Sequence, residues 1–332
     1  MKPRRLGANG PEGHPVGIGA MSFSDFYGPT TEAASHAILD TAMDLGVTHI
    51  DTANVYGMGR SEQAIGSYLK PRPEARDHFT IATKASITRD AEGRRKFDNS
   101  AAHLAAELEQ SLTRLCVEAV DLFYVHRRDP EVPIEEVTET LAGLVKAGKT
   151  RSFGFSEIAP SSLRRAQAVH PVAAVQSEYS LSTRSPEMGL VQTCAELGVA
   201  LVAFSPVGRS LLTDTPLTLE AAQELGFLKT NPRFIEPNYS ANIAASDRLR
   251  ALAAEMGEPT AALAIGWLLA QGEHVIPIPG TRSVRHFRDL VRGADLDLGP
   301  EDLARIEAAL PIGWAHGDRY GAEQWVGPER YC

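Results

Sequence analysis

Cysteine is scarce in this chain, and its three cysteines are far apart. Cys116, Cys194 and Cys332 are an odd number among 332 residues and form no CxxC pair. This spacing argues against a disulfide framework and against cysteine-based metal binding. We therefore predict no metal site and expect a reducing, cytoplasmic location.

Basic charge and long apolar runs are also lacking. The 33 Lys and Arg residues are outnumbered by 42 Asp and Glu, which gives a net charge of −9. Such a balance argues against nucleic acid or an anionic membrane as a partner. The longest apolar run, residues 261–270, is too short to span a bilayer. Lys2, Arg4 and Arg5 are followed by no apolar segment, so no signal peptide is expected.

The sequence contains instead a regular alternation of strand and helix patterns. Helical spacing of apolar residues predicts helices at 31–45, 61–69, from Ser100 onward, 135–147, 161–169, 187–197, 246–256, 260–270 and from 283 onward. Short apolar runs predict strands at 16–20, 47–51, 79–83, 121–125, 150–155, 172–176, 199–204 and 274–278. Eight such units predict a (β/α)8 TIM barrel, which we expect to form one domain over residues 1–332.

A doubly wound sheet is the rival fold for this alternation. Its nucleotide-binding fingerprint would be GxGxxG after the first strand, but Gly17-Ile18-Gly19 lacks the third glycine. We interpret this GxG as a turn at the end of a strand. The barrel is therefore the preferred fold.

Three segments lie outside the alternation. The first 15 residues are expected to form a small cap, and the C-terminal tail to lie over the active face. The connection after strand 7, residues 207–242, is unusually long and carries Arg209, Lys229 and Arg233. Long loops at this face of a barrel often cover or clamp a ligand. The alternative is a solvated surface excursion.

Four ionisable residues occur at or just beyond predicted strands. They are Asp51, Tyr56, Lys84 and His126. Any one of them could have a structural role, as a turn cap, an ion-pair partner or a rim histidine. Together at the carboxyl ends of barrel strands they predict an active site.

These residue types are suited to protonating a carbonyl oxygen. A phenol with a pKa near ~10 becomes a better acid beside an ammonium group, which Lys84 supplies. Asp51 would hold Lys84 charged, and His126 could donate a hydrogen bond to the substrate oxygen. Apart from Lys84 itself, no side chain is an evident nucleophile for the carbonyl carbon. Hydride from a nicotinamide would therefore complete the reaction.

Several motifs resemble one known family. Residues 51–57, Asp-Thr-Ala-Asn-Val-Tyr-Gly, are followed by Gly59-Arg60-Ser61-Glu62. Further motifs are Thr83-Lys84, Val125-His126-Arg127, Gly154-Phe155-Ser156-Glu157, Gln176-Ser177-Glu178-Tyr179 and Ile278-Pro279-Gly280-Thr281-Arg282. The chain resembles the aldo-keto reductases, barrels that use NADPH. It is similar to the bacterial, fungal and plant reductases related to auxin-induced proteins.

The resemblance implies a role for each matching residue. Tyr56 would be the general acid, tuned by Lys84 and Asp51, and His126 would orient the carbonyl. Ser156 and Gln176 would hold the carboxamide of NADPH, and Phe204 would stack on its nicotinamide. Ser205, Pro206, Val207 and Gly208 would form the turn under its pyrophosphate, and Gly280, Thr281 and Arg282 would bind its 2′-phosphate. The remaining predicted cofactor contacts are Gly19, Ala20, Met21, Arg209, His286 and Asp289. Glu157 stands where the family usually has Asn.

The function this implies is NADPH-dependent reduction of an aldehyde or ketone to an alcohol. Two alternatives remain open. The chain could be an NADPH-binding accessory subunit with slow turnover, or a lyase or aldolase that forms a Schiff base through Lys84. The expected partner is a small-molecule carbonyl compound, while a monomer and a homo-oligomer are equally compatible with the sequence.

Overall fold

Eight parallel strands form the centre of the molecule in a computed structural model that describes residues 2–331. Each strand pairs with the next along the chain. They are β1 (Ile18–Gly19), β2 (His49–Asp51), β3 (Thr80–Ala85), β4 (Leu122–Val125), β5 (Phe153–Ser156), β6 (Ala174–Glu178), β7 (Ala200–Phe204) and β8 (Val275–Pro277). The predicted number and direction of strands are confirmed.

The sheet closes on itself between its first and last strands. The backbone N–H groups of Gly17 and Gly19 donate to the carbonyl oxygens of Pro277 and Pro279, at 2.9 and 2.8 Å. A Cβ atom on Gly19 would lie only 2.6 Å from the Ile278 carbonyl oxygen. The two backbones approach so closely that only glycine fits, and this seam completes the (β/α)8 barrel. The Gly17-Ile18-Gly19 segment therefore enters β1 and is not only a turn at its end.

Helices surround the barrel and follow most of its strands. Thr31 and Ser100 begin two of them, because each hydroxyl accepts a hydrogen bond from a backbone N–H of the first turn. Leu104, Leu108 and Leu112 are buried on one face of the helix that Ser100 caps. The helices are α1 (Glu32–Asp44), α2 (Arg60–Leu69), α3 (Pro73–His78), α4 (Ala101–Leu115), α5 (Ile134–Lys146), α6 (Pro160–Val169), α7 (Leu190–Leu197), α8 (Leu219–Gln223), α9 (Asn238–Met256), α10 (Thr260–Leu269), α11 (Val284–Arg292) and α12 (Pro300–Ala309).

A short hairpin covers the amino-terminal end of the barrel. Arg4–Arg5 pairs with Glu12–Gly13, and Leu6 packs against the buried side chains inside the barrel. The Arg4 guanidinium donates to the carbonyl oxygens of Leu269, Gly272 and Val275, next to the start of β8. The expected cap is therefore present, and the opposite, carboxyl-terminal end of the strands is left for the site.

Several elements differ from the sequence predictions. A hairpin of Ile87–Arg89 and Arg95–Phe97 follows β3 where only a connection was expected, because its charged residues carry little apolar periodicity. Helix α9 begins at Asn238, so the connection after β7 is shorter than the predicted residues 207–242. Three short helices, α3, α8 and α12, were not predicted. The predicted helix 187–197 is interrupted at Gly189, whose φ of 140° is not helical. Among residues 2–331, none of the helices has the length and apolar content needed to cross a membrane.

Two segments lie over the carboxyl end of the strands, as predicted. The connection after β7 places the Phe227 ring against Phe26 and Tyr27, with ring centroids 4.4 and 5.1 Å apart. The C-terminal tail is fixed in part by the Trp314 indole, which donates to the Leu181 carbonyl oxygen at 2.8 Å. Together they narrow the opening of the barrel.

The seam between β1 and β8 generates a stability prediction. Gly19→Ala is expected to lower the free energy of unfolding by about 1–3 kcal/mol, because the new methyl group meets the Ile278 carbonyl oxygen. Gly143→Ala in α5 is the matched control, since nothing lies within 4 Å of its Cβ position. Alanine there should stabilise the helix by about 0.5–1 kcal/mol. Urea denaturation of both variants checks this, and equal midpoints would contradict the tight seam.

Candidate active site

The four predicted acid–base residues lie together at the carboxyl end of the barrel. Asp51 ends β2, Lys84 lies in β3, and His126 follows β4 directly, so three adjacent strands carry them. Tyr56 is in the loop between β2 and α2. Residues far apart in the sequence meet because parallel strands end at one face of the barrel.

Lys84 is the centre of this group. Its side chain is fully buried, and its ammonium group donates to the Asp51 carboxylate, to the Thr52 carbonyl oxygen at 2.8 Å and to the Tyr56 hydroxyl at 3.4 Å. The other oxygen of Asp51 accepts a hydrogen bond from the Gln176 amide at 2.7 Å. Every proton of the ammonium group therefore has an acceptor.

The Tyr56 and His126 rings pack edge to face beside Lys84. Their centroids are 5.8 Å apart and their planes are nearly perpendicular, at 82°. The two polar edges thus border the same space. A small oxygen-containing group placed there could contact both side chains.

The protonation states follow from burial and from neighbouring charges. Burial raises the pKa of Tyr56, and the Lys84 ammonium opposes this effect, so the phenol holds its proton at neutral pH. Burial alone would lower the pKa of Lys84, but the Asp51 carboxylate and the Tyr56 hydroxyl raise it above its usual value. Burial, followed by the charges of Arg127 and Lys84, holds the pKa of His126 well below its usual value. The site thus contains a neutral phenol, a cationic lysine and a neutral imidazole.

A long cleft of about 840 Å³ runs from these residues across the barrel mouth. Most of the predicted cofactor residues line it: Gly19, Met21, Ser156, Gln176, Phe204, Ser205, Pro206, Arg209, Gly280, Thr281, Arg282, His286 and Asp289. Ala20 and Gly208 do not. Ala20 is buried and its carbonyl oxygen accepts from the Ser61 hydroxyl, while the Cβ position of Gly208 lies against Ser182.

The polar groups at the catalytic end of the cleft already have protein partners. The Gln176 amide donates to Asp51, and the Ser156 hydroxyl accepts from Arg127 at 2.9 Å. Gln176 therefore orients the Asp51 carboxylate, and its contact with a cofactor stays a prediction. Arg127 occurs in the His-Arg motif, but no sequence pattern assigned it to the site.

The opposite end of the cleft is cationic. Arg282, Arg285 and His286 are exposed there around the first turn of α11, and the Ser283 hydroxyl accepts from the His286 backbone N–H. Cations beside a helix N-terminus suit a phosphate group. Sequence reasoning missed Arg285, although its position three residues after Arg282 places it one helical turn away.

A second group of buried charges lies beneath the tail. The Glu178 carboxylate is fully buried and binds the Arg209 guanidinium at 2.6 Å, with Arg233 at 3.7 Å and Arg319 at 3.6 Å. Arg319 also pairs with Glu157. Arg209 and Arg233, interpreted as parts of a ligand clamp, thus direct their charge toward a protein carboxylate. Glu157 holds the tail through Arg319.

This fold and this site together define a barrel enzyme with an acid–base cluster beside a long cleft. Comparison with known proteins gives the family. Residues 15–311 match the Aldo/keto reductase family. The chain therefore belongs to the aldo/keto reductases, a family of oxidoreductases, and the family resemblance of its motifs is confirmed.

Two relatives match nearly the whole chain. It is 37% identical over 321 residues to "Probable aldo-keto reductase 1" of Glycine max, covering 96% of this chain and 92% of that protein. It is 34% identical over 309 residues to "Aldo-keto reductase yakc [NADP(+)]" of Schizosaccharomyces pombe, covering 92% and 91%. The sequence thus aligns with these relatives almost from end to end.

Solved structures give the same result. The glycerol dehydrogenase AKR11B4 of Gluconobacter oxydans superposes with a TM-score of 0.81 at 27% identity, covering 93% of this chain and 94% of that one. The holo form of the aldo-keto reductase AKR11C1 of Bacillus halodurans has a TM-score of 0.77 at 26% identity, covering 98% and 99%. The barrel is therefore similar to theirs.

The Glu157–Arg319 pair predicts a pH dependence of stability. Burial opposes ionisation of Glu157, but Arg319 lowers its pKa below the usual 4.5. A carboxyl group whose folded pKa is depressed stabilises the fold above about pH 4.5, and this contribution is lost as the pH falls through the folded pKa. Glu157→Gln should therefore cost about 1–3 kcal/mol at pH 7 and progressively less below pH 4.5.

Thermal unfolding between pH 3 and 7 measures this effect. The control is Glu92→Gln, whose side chain is 66% exposed and whose loss should cost nothing measurable. A Glu157→Gln deficit that stays constant across this range would contradict the assignment.

Proposed function

We propose that this chain reduces an aldehyde or ketone to an alcohol, with NADPH as the hydride donor and Tyr56 as the general acid. The observation that carries this proposal is the contact of the buried Lys84 ammonium with both Asp51 and the Tyr56 hydroxyl, beside neutral His126. The Lys84 ammonium opposes the rise in pKa that burial causes at Tyr56, and it would stabilise the phenolate left when the proton is transferred.

The residues lining the cleft suit NADPH. The cleft is long and partly apolar, Phe204 forms a wall near the catalytic residues, and Arg282 and Arg285 supply guanidinium groups at the far end. Such groups fork onto a phosphate, which suits the 2′-phosphate that distinguishes NADPH from NADH. When bound, NADPH supplies the hydride that becomes the new C–H bond at the carbonyl carbon.

Tyr56 and Lys84 handle the proton. As the carbonyl carbon receives the hydride, the π electrons of the C=O bond move to the oxygen, which takes the Tyr56 proton to become the hydroxyl group. The phenolate that forms lies beside the Lys84 ammonium, which stabilises its negative charge. Asp51 keeps that ammonium charged and fixed in place.

His126 positions the carbonyl oxygen. Its low pKa keeps the imidazole neutral, so one ring nitrogen can donate a hydrogen bond while the ring adds no charge to compete with Lys84. The perpendicular packing against Tyr56 fixes the ring orientation. The two side chains together would hold the oxygen within reach of the phenolic proton.

A Schiff base on Lys84 is disfavoured by the same contacts. A nucleophilic lysine must lose its proton, yet the Asp51 carboxylate raises the pKa of Lys84 and the side chain is fully buried. Borohydride added with an aldehyde should leave the protein unmodified. Covalent trapping at Lys84 would overturn the hydride mechanism.

Tyr56→Phe tests the general acid and the accessory-subunit alternative. The variant keeps the ring but removes the donor, so we expect kcat for aldehyde reduction to fall by at least about 100-fold. The dissociation constant for NADPH, followed by quenching of protein fluorescence, should stay within about twofold. Near wild-type turnover in the variant would exclude Tyr56 as the acid, and a wild-type protein that binds NADPH without oxidising it would favour the accessory role.

Arg282→Ala tests the 2′-phosphate contact. Loss of one charge-assisted phosphate contact should weaken NADPH binding by about 10-fold and NADH binding by less than about twofold. Arg288→Ala is the matched control, because Arg288 is exposed on α11, shortly after Arg282 in the chain, but does not line the cleft. Equal losses for NADPH and NADH would remove this role from Arg282.

A further inference from the structure

Two arginines at the catalytic end of the cleft form no ion pair with any carboxylate of the part of the chain that the structure describes. Arg127 follows His126 at the end of β4, and Arg95 lies on the hairpin after β3. Both line the cleft with Tyr27 and Tyr320. In the ring of eight strands β4 lies opposite β8, so these arginines are across the barrel from Arg282.

Arg127 is held rigidly at the edge of the cleft. Its carbonyl oxygen accepts hydrogen bonds from Ser86 and Asn99, and its guanidinium donates to the His126 carbonyl oxygen at 2.7 Å and to Ser156 at 2.9 Å. Among residues 2–331 its positive charge has no ion-pair partner. A fixed guanidinium that lines a cleft without an ion pair is suited to bind an anionic group of a ligand.

Arg95 brings a second positive charge to the same space. Its guanidinium packs over the Phe97 ring at 5.1 Å and forms no ion pair within the described residues. Arg95 is exposed to the cleft, and the protein around its guanidinium removes part of its hydration. Burial, and then the charge of Arg127, lower the pKa of Arg95. The two cations therefore repel each other across the cleft.

Among residues 2–331, no carboxylate forms an ion pair with Arg95 or Arg127, and Glu157 acts on Arg127 only through a longer-range attraction. Asp51 is paired with Lys84, Glu157 with Arg319, and Glu178 is shared by Arg209 and two other arginines. This excess of positive charge occurs in a chain with a net charge of −9. Uncompensated cations in a narrow cleft are stabilised by an anion that enters it.

We propose that the carbonyl substrate carries a carboxylate or phosphate group, and that Arg95 and Arg127 bind this group while the carbonyl oxygen lies at Tyr56 and His126. This inference rests on the proposed function and adds the chemical class of the substrate. It makes Arg95 a specificity-determining residue. An uncharged aldehyde of the same shape gains nothing from the two guanidinium groups.

A pair of aldehydes that differ in charge tests the proposal. The holoenzyme is assayed with 4-carboxybenzaldehyde and with its neutral methyl ester, and the ratio of their kcat/KM values is measured. We expect a ratio of about 10 or more in favour of the acid, falling as salt is added because ions screen the attraction. A ratio near one, or one independent of salt, would overturn the proposal.

Variants on one hairpin show where the preference arises. Arg95→Gln should reduce the acid-to-ester ratio by about 10-fold. Arg89→Gln removes the same charge from the same hairpin, but Arg89 is exposed and does not line the cleft, so its ratio should match the wild type. Equal ratios in all three proteins would overturn the role of Arg95.

Glyceraldehyde 3-phosphate compared with glyceraldehyde distinguishes the two kinds of anion. A preference for the phosphorylated aldehyde alone assigns the site to phosphate, and a preference for the carboxylated one alone assigns it to carboxylate. If no aldehyde supports NADPH oxidation, the proposed function fails separately. Benzoate should still raise the melting temperature of the NADPH-loaded protein more than benzamide does, and less so in Arg95→Gln; equal shifts would overturn the anion site.

Discussion

The buried ion pair of Lys84 and Asp51 is the interaction on which the site depends. Removing both charges from water costs several kcal/mol for each ion, and their attraction offsets this only when their other hydrogen-bonding groups are satisfied. The Thr52 carbonyl oxygen and the Gln176 amide do this, and the Gln176 bond joins β6 to β2 across the barrel mouth. A closed barrel is needed to place these donors and acceptors around one ammonium group. Tyr56 depends on this pair as well, because the fixed positive charge of Lys84 opposes the rise in the pKa of Tyr56 that burial causes.

A second set of buried charges shapes the cleft above this pair. Glu178, at the end of β6, attracts Arg209 and Arg233 from the connection after β7 and Arg319 from the tail. One carboxylate thus holds both the connection after β7 and the C-terminal tail. Because this network uses the nearby carboxylates for structure, Arg95 and Arg127 are left with charge to offer a ligand. The ion pairs that hold the tail thus also determine which arginines of the cleft can bind a ligand.

Sequence reasoning predicted the elements whose signal is local. Short apolar runs gave all eight strands, and the leucine spacing after Ser100 gave α4, because burial on one face imposes a period on the sequence. The hairpin at Ile87–Arg89 and Arg95–Phe97 was missed because its charged residues carry little apolar periodicity. The start of α9 at Asn238 was missed because its first turn is polar. Of the site, the residues within short motifs could be found, whereas Arg285, Tyr320 and Arg95 had no such signal.

The sequence by itself determined the barrel, the family and the chemical types available at the strand ends, since each depends on patterns spanning a few residues. Only the tertiary structure decided which charges meet. Arg209 and Arg233 resembled a ligand clamp in the sequence but pair with Glu178, and Glu157, which stands where the family usually has Asn, pairs with Arg319. Coulomb attraction depends on distance in space and on burial, which a one-dimensional sequence does not specify. For the same reason, only the tertiary structure shows that Arg95 and Arg127 line the cleft without an ion pair among the described residues.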